Sequence, residues 1–168
     1  TAHAFYKELQ ETSGCPVINM LEASLQYIDQ SHPGAQVCIL GTLGTVQTRT
    51  YEKYNHFSLT IIYPEETLCE EVHALIYDIK KNILPSVDDF VRRLSHIMNQ
   101  VAGNDSNIVF LLACTELSVL GAENFPEYTV LDALDILSLV SVAASTKKLK
   151  IRAPYDEKII SEIAQNYK

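Results

Sequence analysis

The chain has 168 residues, enough to bury a real core as one domain or two small lobes. Its net charge of −8 argues against a nucleic-acid partner, which would need a basic face to neutralise phosphates. Four widely spaced cysteines, Cys15, Cys38, Cys69 and Cys114, suggest neither a disulfide framework nor a metal site and point to a reducing cytoplasm; no apolar run reaches the roughly 18 to 20 residues of a membrane span, so no membrane partner is expected.

In chain order, residues 2–11 place Phe5 and Leu9 on one face of a short amphipathic helix, and Ser13-Gly14 breaks it. Residues 16–20 (PVINM) read as a short strand. Leu21, Leu25 and Ile28 mark a second helix that stops before His32-Pro33-Gly34. Residues 36–40 (QVCIL) form the next strand, followed by Gly41-Thr42-Leu43-Gly44-Thr45. Such a loop, with the hydroxyls of Thr42, Thr45 and Thr48 and its main-chain N–H groups, suits a carboxylate or phosphate at a helix start. An ordinary strand-to-helix turn with a threonine N-cap explains the same residues.

Residues 57–63 (FSLTIIY) read as another strand, ended by Pro64. From Glu65 onward Leu68, Val72, Leu75, Ile76 and Ile79 share one helical face, closing with Lys80-Lys81, a pair that at minimum complements the helix dipole. Val87, Phe90, Val91, Leu94, Ile97, Met98 and Val101 give the clearest helix, with Asp88 and Asp89 in its first turn and Gly103 beyond its end. His96 on that helix reads as a surface or boundary residue and not a ligand.

Residues 107–120 (NIVFLLACTELSVL) then pass from an apolar run into Cys114-Thr115-Glu116 and on to helical spacing: a strand buried on both faces, a corner and a helix. Ligands of parallel sheets bind beyond the strands' carboxyl ends, where this corner would lie. The helix's positive end would favour a Cys114 thiolate, usable as base or nucleophile. A buried structural cysteine fits the position equally. A short strand over 128–131 ends at Asp132. Residues 134–144 are almost wholly apolar, as in a helix closing the core. A basic cluster over 147–152 reads as a solvated face, and a last helix carries Ile159, Ile160 and Ile163. Strands alternating with helices make the class α/β with a mainly parallel sheet.

Several of these pieces, in order, resemble the aspartate/glutamate racemase family of cofactor-independent enzymes. Thr1-Ala2-His3 resembles the end of that family's Cys-Asn-Thr-X-His motif, and residues 16–20 the segment after it. Thr42-Leu43-Gly44-Thr45 with Thr48 and Tyr51 resembles its threonine loop. The segment with His73, Tyr77 and Lys80 resembles the helix bearing a substrate-binding lysine, and Ala113-Cys114-Thr115-Glu116-Leu117 resembles its Gly-Cys-Thr-Glu motif. Ala113 replaces the usual glycine and Ser118 a common proline. Glu116 favours this branch over glutamate racemases proper, where histidine is usual.

The resemblance implies two pseudo-symmetric α/β lobes with mainly parallel sheets flanked by helices, the first lobe incomplete. Residues 1–34 would be a remnant of the N-terminal lobe, 35–132 the second lobe, and 133–168 a helical segment returning to the first. It implies an acidic amino-acid substrate, aspartate or glutamate, racemised without pyridoxal phosphate or metal by two thiols on opposite faces of Cα. Cys114 would be one thiol; the other would lie upstream of Thr1, in a missing N-terminal segment, so the fragment alone would be inactive. Thr1, Thr45 and Thr115 would hold the α-carboxylate, Thr42 and Glu116 would support the substrate site, and Lys80, or Lys81 in a register one residue on, would pair with the side-chain carboxylate. A homodimer is also implied. Maleate isomerase, hydantoin racemase and arylmalonate decarboxylase resemble the same superfamily, and an inactive amino-acid-binding homologue is the non-enzymatic alternative.

Overall fold

The computed structural model describes residues 2–81, 86–103, 105 and 107–146. Thr1, the basic cluster over 147–152 and the expected last helix lie outside the described residues.

Four strands, β1 (Gln36–Leu40), β2 (Thr60–Ile62), β3 (Ile108–Leu112) and β4 (Thr129–Asp132), form one sheet in the order β2-β1-β3-β4 with every pairing parallel. The central pair is in register from Gln36 opposite Ile108 to Leu40 opposite Leu112. All five residues of β3 are buried, as the apolar run predicts for an interior parallel strand with both faces covered. The strand period of two divides the core. Val37, Ile39, Val109 and Leu111 face one layer, and Cys38, Leu40, Ile108, Phe110 and Leu112 face the other.

The first layer is built by α2 (Met20–Ser31) and α8 (Ala133–Ser145). Leu21, Leu25 and Ile28 of α2 share a core with Ile136, Val140, Ala143 and Ala144 of α8. The near-continuous apolar character of α8 exceeds what that face uses: Leu134 and Val142 remain exposed. The second layer is α5 (Glu66–Lys81) and α6 (Val87–Ala102). Leu68, Val72, Leu75 and Ile76 pack there with Phe90, Leu94, Ile97 and Met98, the faces that the i, i+3, i+4 spacing predicts. Ser86 caps α6 by accepting from the Asp89 N–H, and Gly103 follows its end at φ 52°. His96 contacts only Gln100 among the side-chain hydrogen bonds of that exposed face.

An N-terminal 3₁₀ turn, Ala2–Phe5, leads into α1 (Tyr6–Thr12), which is amphipathic in sequence yet buries no residue. Residues 16–19 correct the reading of a strand: they form no strand and take part in none of the sheet's ladders. Both edges of β1 are taken by β2 and β3, and Asn19 serves instead as the N-cap of α2, its Oδ1 accepting from Leu21 N–H (3.1 Å) and Glu22 N–H (3.4 Å). The strand expected over 57–63 shrinks to β2. Ser58 donates through N–H and Oγ to Asp29, and Asn55 Nδ2 donates to the Leu59 carbonyl, so turn chemistry consumes the groups a longer ladder would need. Among the described residues no helix is long and apolar enough to cross a membrane.

Asn19 is fully buried, so Asn19→Ala leaves two N-terminal amide donors without their acceptor. The expected loss is about 1–2 kcal/mol, read as a lower denaturant midpoint at unchanged slope in urea unfolding.

Candidate active site

The sheet has a switch point between β1 and β3. The chain leaves β1 toward β2 on one side and leaves β3 toward β4 on the other, opening a crevice beyond the carboxyl ends of the central strands. The Ala113 N–H donates to the Leu40 carbonyl at 2.8 Å, carrying the β1–β3 ladder one step into the crevice. The loops beyond are thereby held side by side. A methyl on Gly41 would touch Thr45 Cβ at 3.4 Å and Ala113 Cβ at 3.6 Å.

The threonine loop turns directly into α3 (Leu43–Thr48), with Thr42 as N-cap. Thr42 Oγ1 accepts from the Thr45 N–H (3.4 Å) and lies 3.2 Å from Thr45 Oγ1. The N-cap reading of Thr42 is therefore what the structure displays, and the two hydroxyls form one pair. Arg49, at φ 47°, separates α3 from α4 (Thr50–Lys53) and turns Tyr51 inward, where it is fully buried. Its hydroxyl has no hydrogen-bond partner among the described residues, and burial pushes its pKa up, with Tyr63, Asp132 and Cys114 adding to the shift.

Cys114 leaves β3 into α7 (Thr115–Ser118), a single turn rather than the longer helix expected. Gly121, three residues beyond its end, takes φ 69°, where an L side chain would be strained. The Cys114 thiol donates to Glu116 Oε2 at 3.0 Å, and the Thr115 hydroxyl donates to the same oxygen at 3.2 Å. Burial first, and then the bond to Glu116, push the thiol up to about 11. This reverses the expected helix-end effect, because four residues provide little dipole while burial and a neighbouring carboxylate both disfavour thiolate. Glu116 is held below the usual carboxylate range, chiefly by the bond from Cys114, with Thr115 and Lys80 contributing less.

Helix α5 brings the remaining groups. It begins beside the end of β2 and reaches both central loops. His73 Nδ1 accepts the Leu43 N–H at 3.3 Å, and Lys80 Nζ stands 3.9 Å from Glu116 Oε1. His73, Tyr77 and Lys80 are spaced i, i+4, i+7 and so share one face; the His73 and Tyr77 rings are 4.7 Å apart. His73 as the fastener of the threonine loop was missed by sequence reasoning, although that spacing placed it on the lysine's face. Asp132, at the end of β4, was also missed. Its carboxylate accepts from Ser118 Oγ (2.9 Å) and the Leu134 N–H (2.7 Å), tying α7 to the start of α8.

The structure thus brings together Cys114, Thr115, Glu116 and Lys80, with Thr42 and Thr45 on the adjoining loop; Thr1 lies outside the described residues. The other described cysteines are differently placed. Cys38 is buried in β1 and pushed up to about 12, Cys69 is buried and donates to the Pro64 carbonyl, and Cys15 is exposed near Ser13. Among the described residues no group of three His, Cys, Asp or Glu side chains could hold a metal ion. A cavity of about 20 Å³ lies beside Cys114, lined in part by Met20, Ser118 and Asp132. That volume holds about one water, so an amino acid would have to sit on the open side of the loops. Larger hollows, of about 450 and 390 Å³, lie along α5 and α6 and at the amino ends of β3 and β4, remote from the thiol.

Comparison with known proteins bears on this arrangement. The aspartate racemase of Picrophilus torridus superposes with a TM-score of 0.66 over 95% of this chain and 63% of its own, at 21% identity. The broad specificity amino-acid racemase RacX of Bacillus subtilis (strain 168) is 24% identical over 143 residues, which cover 85% of this chain and 60% of RacX. The chain therefore spans less than two thirds of either relative. The model of the family described as Asp/Glu/hydantoin racemase matches residues 1–144, a stretch that holds every described group of the crevice. By that match, the chain belongs to the Asp/Glu/hydantoin racemase family.

Proposed function

We propose that this chain supplies one acid/base thiol, Cys114, to a cofactor-independent racemisation of an acidic amino acid, aspartate or glutamate. The observation that carries the reading is the linked set at the sheet's switch point: Cys114 bonded to Glu116, Glu116 facing Lys80, and the threonine loop beside them. Inverting Cα requires a base on one face and an acid on the other, because a single base returning its own proton restores the original hand. With its pKa near 11, Cys114 rests as the thiol, the form that delivers a proton. In the reverse direction it must work as thiolate. The substrate's ammonium group, drawn close to the sulfur, favours that form.

The α-carboxylate gathers charge as Cα loses its proton, so donors must point at it. The Thr45 and Thr115 hydroxyls are the described candidates, with Thr1 completing the set and Thr42 holding the loop. Lys80 pairs with the side-chain carboxylate. The second base belongs to a facing lobe outside the described residues. A homodimer in the cytoplasm is part of this reading.

Incubating the full-length protein with L-aspartate in heavy water should give α-deuterium exchange and D-aspartate, and Cys114→Ala should lower both by at least about a hundredfold. Full activity in that variant would reject Cys114 as the thiol, and aspartate binding in calorimetry without any exchange would favour the non-enzymatic alternative.

Alkylation of Cys114 by iodoacetamide, followed site by site by mass spectrometry, should rise with pH toward a midpoint of about 11. Glu116→Gln should move this midpoint down, since it removes a negative charge and weakens the acceptor that holds the thiol's proton. The folded thiol keeps its proton above the ordinary value of 9.0. Between about pH 9 and 11 the unfolded chain therefore binds fewer protons than the folded one, and this group's contribution to stability falls as pH rises.

A further inference from the structure

Lys80 has a second carboxylate to contend with besides the substrate's. Glu116 is anchored through one oxygen, Oε2, which takes both the Cys114 and Thr115 hydrogen bonds, and this leaves Oε1 directed at the lysine at 3.9 Å. Two other ion pairs of α5 and α6 are made away from this one: Asp78 pairs with Arg93 at 2.7 Å and Asp89 pairs with Arg92. Within the crevice, Lys80 and Glu116 face each other as a pair whose formal charge is zero.

We propose that Glu116 is a specificity-determining residue that acts as the built-in counter-ion of Lys80, so that the site tolerates an uncharged side-chain amide nearly as well as the isosteric carboxylate. This rests on the racemase reading above and concerns how sharply the substrate's side-chain charge is read. A bare lysine would attract an acidic side chain and leave a neutral one facing an uncompensated ammonium. A lysine already paired gains less from the first and loses less with the second. Lys80 has 65% of its side chain exposed, so water screens the pair and the effect is one of modest ratios.

The discriminating measurement is α-deuterium exchange by the full-length protein on L-aspartate and L-asparagine, which differ in charge but hardly in shape. Glu116→Gln should raise the aspartate-to-asparagine ratio of kcat/KM roughly three- to fivefold, with Glu116→Ser as a second uncharged variant. Any change in Cys114 chemistry affects both substrates alike and cancels in the ratio. In a Lys80→Gln background the same Glu116 change should raise the ratio by a clearly smaller factor, because no lysine is released toward the substrate. A ratio that stays or falls in both Glu116 variants, or that rises equally without Lys80, overturns the proposal while leaving the racemase reading intact. Failure of the wild-type protein to exchange either substrate overturns the racemase reading and this one with it.

Discussion

The pairing of β1 with β3 is the constraint on which the rest of the molecule depends. These two strands are the only described pair in register over five residues each, and both are buried on both faces. Where they end, the chain must depart in opposite directions, one connection toward β2 and the other toward β4. The Ala113 N–H to Leu40 carbonyl bond carries the alignment of the ladder into the loops. Small or polar residues follow on each side, Gly41-Thr42 after one strand and Cys114-Thr115 after the other. Side chains of two loops separated by about seventy residues in sequence then share one crevice, because backbone geometry leaves them nowhere else to point.

Around that crevice, Glu116 does most to set the electrostatic character. One of its oxygens holds the thiol and the Thr115 hydroxyl, and the other faces Lys80. Burial and this carboxylate together keep Cys114 protonated, and the single turn of α7 offers too short a dipole to oppose them. The site is braced from outside the crevice as well. His73 takes the Leu43 N–H, Asp132 joins Ser118 to the start of α8, and Asn19 fixes the start of α2. Each brace satisfies a main-chain donor that would otherwise be stranded at a helix end, so the caps that stabilise the fold also position the loops.

The fold survives at 21% identity to an aspartate racemase of known structure, which is what this mode of construction allows. A parallel sheet between two helical layers asks for apolar residues at strand and helix periods and for caps at the ends. Many sequences meet those demands. The crevice is less forgiving, since a thiol, an acceptor for it and a cation must coincide within hydrogen-bonding or ion-pairing reach.

Local pattern carried much of this in the sequence itself. The continuous apolar run over residues 108–113 suited a strand covered on both sides, and the spacing of Leu94, Ile97 and Met98 suited a helix with one buried face. For these elements the hydrophobic period is the physical cause of the structure. The residues of the crevice were legible through their order along the chain, which resembled a family's motifs. Their contacts were not, because a hydrogen bond between Leu43 and His73, or an ion pair between Lys80 and Glu116, depends on how separate elements dock. Competition between local options was equally hidden. Whether residues 16–20 joined a sheet or capped a helix depended on whether β1 had a free edge, and whether Cys114 became thiolate or thiol depended on its burial and on the carboxylate two residues away. Sequence determined the elements and the chemical types at their ends; only tertiary structure decided which of those groups met and what charge each would carry, because both follow from neighbours that are distant in the chain or from water that packing excludes.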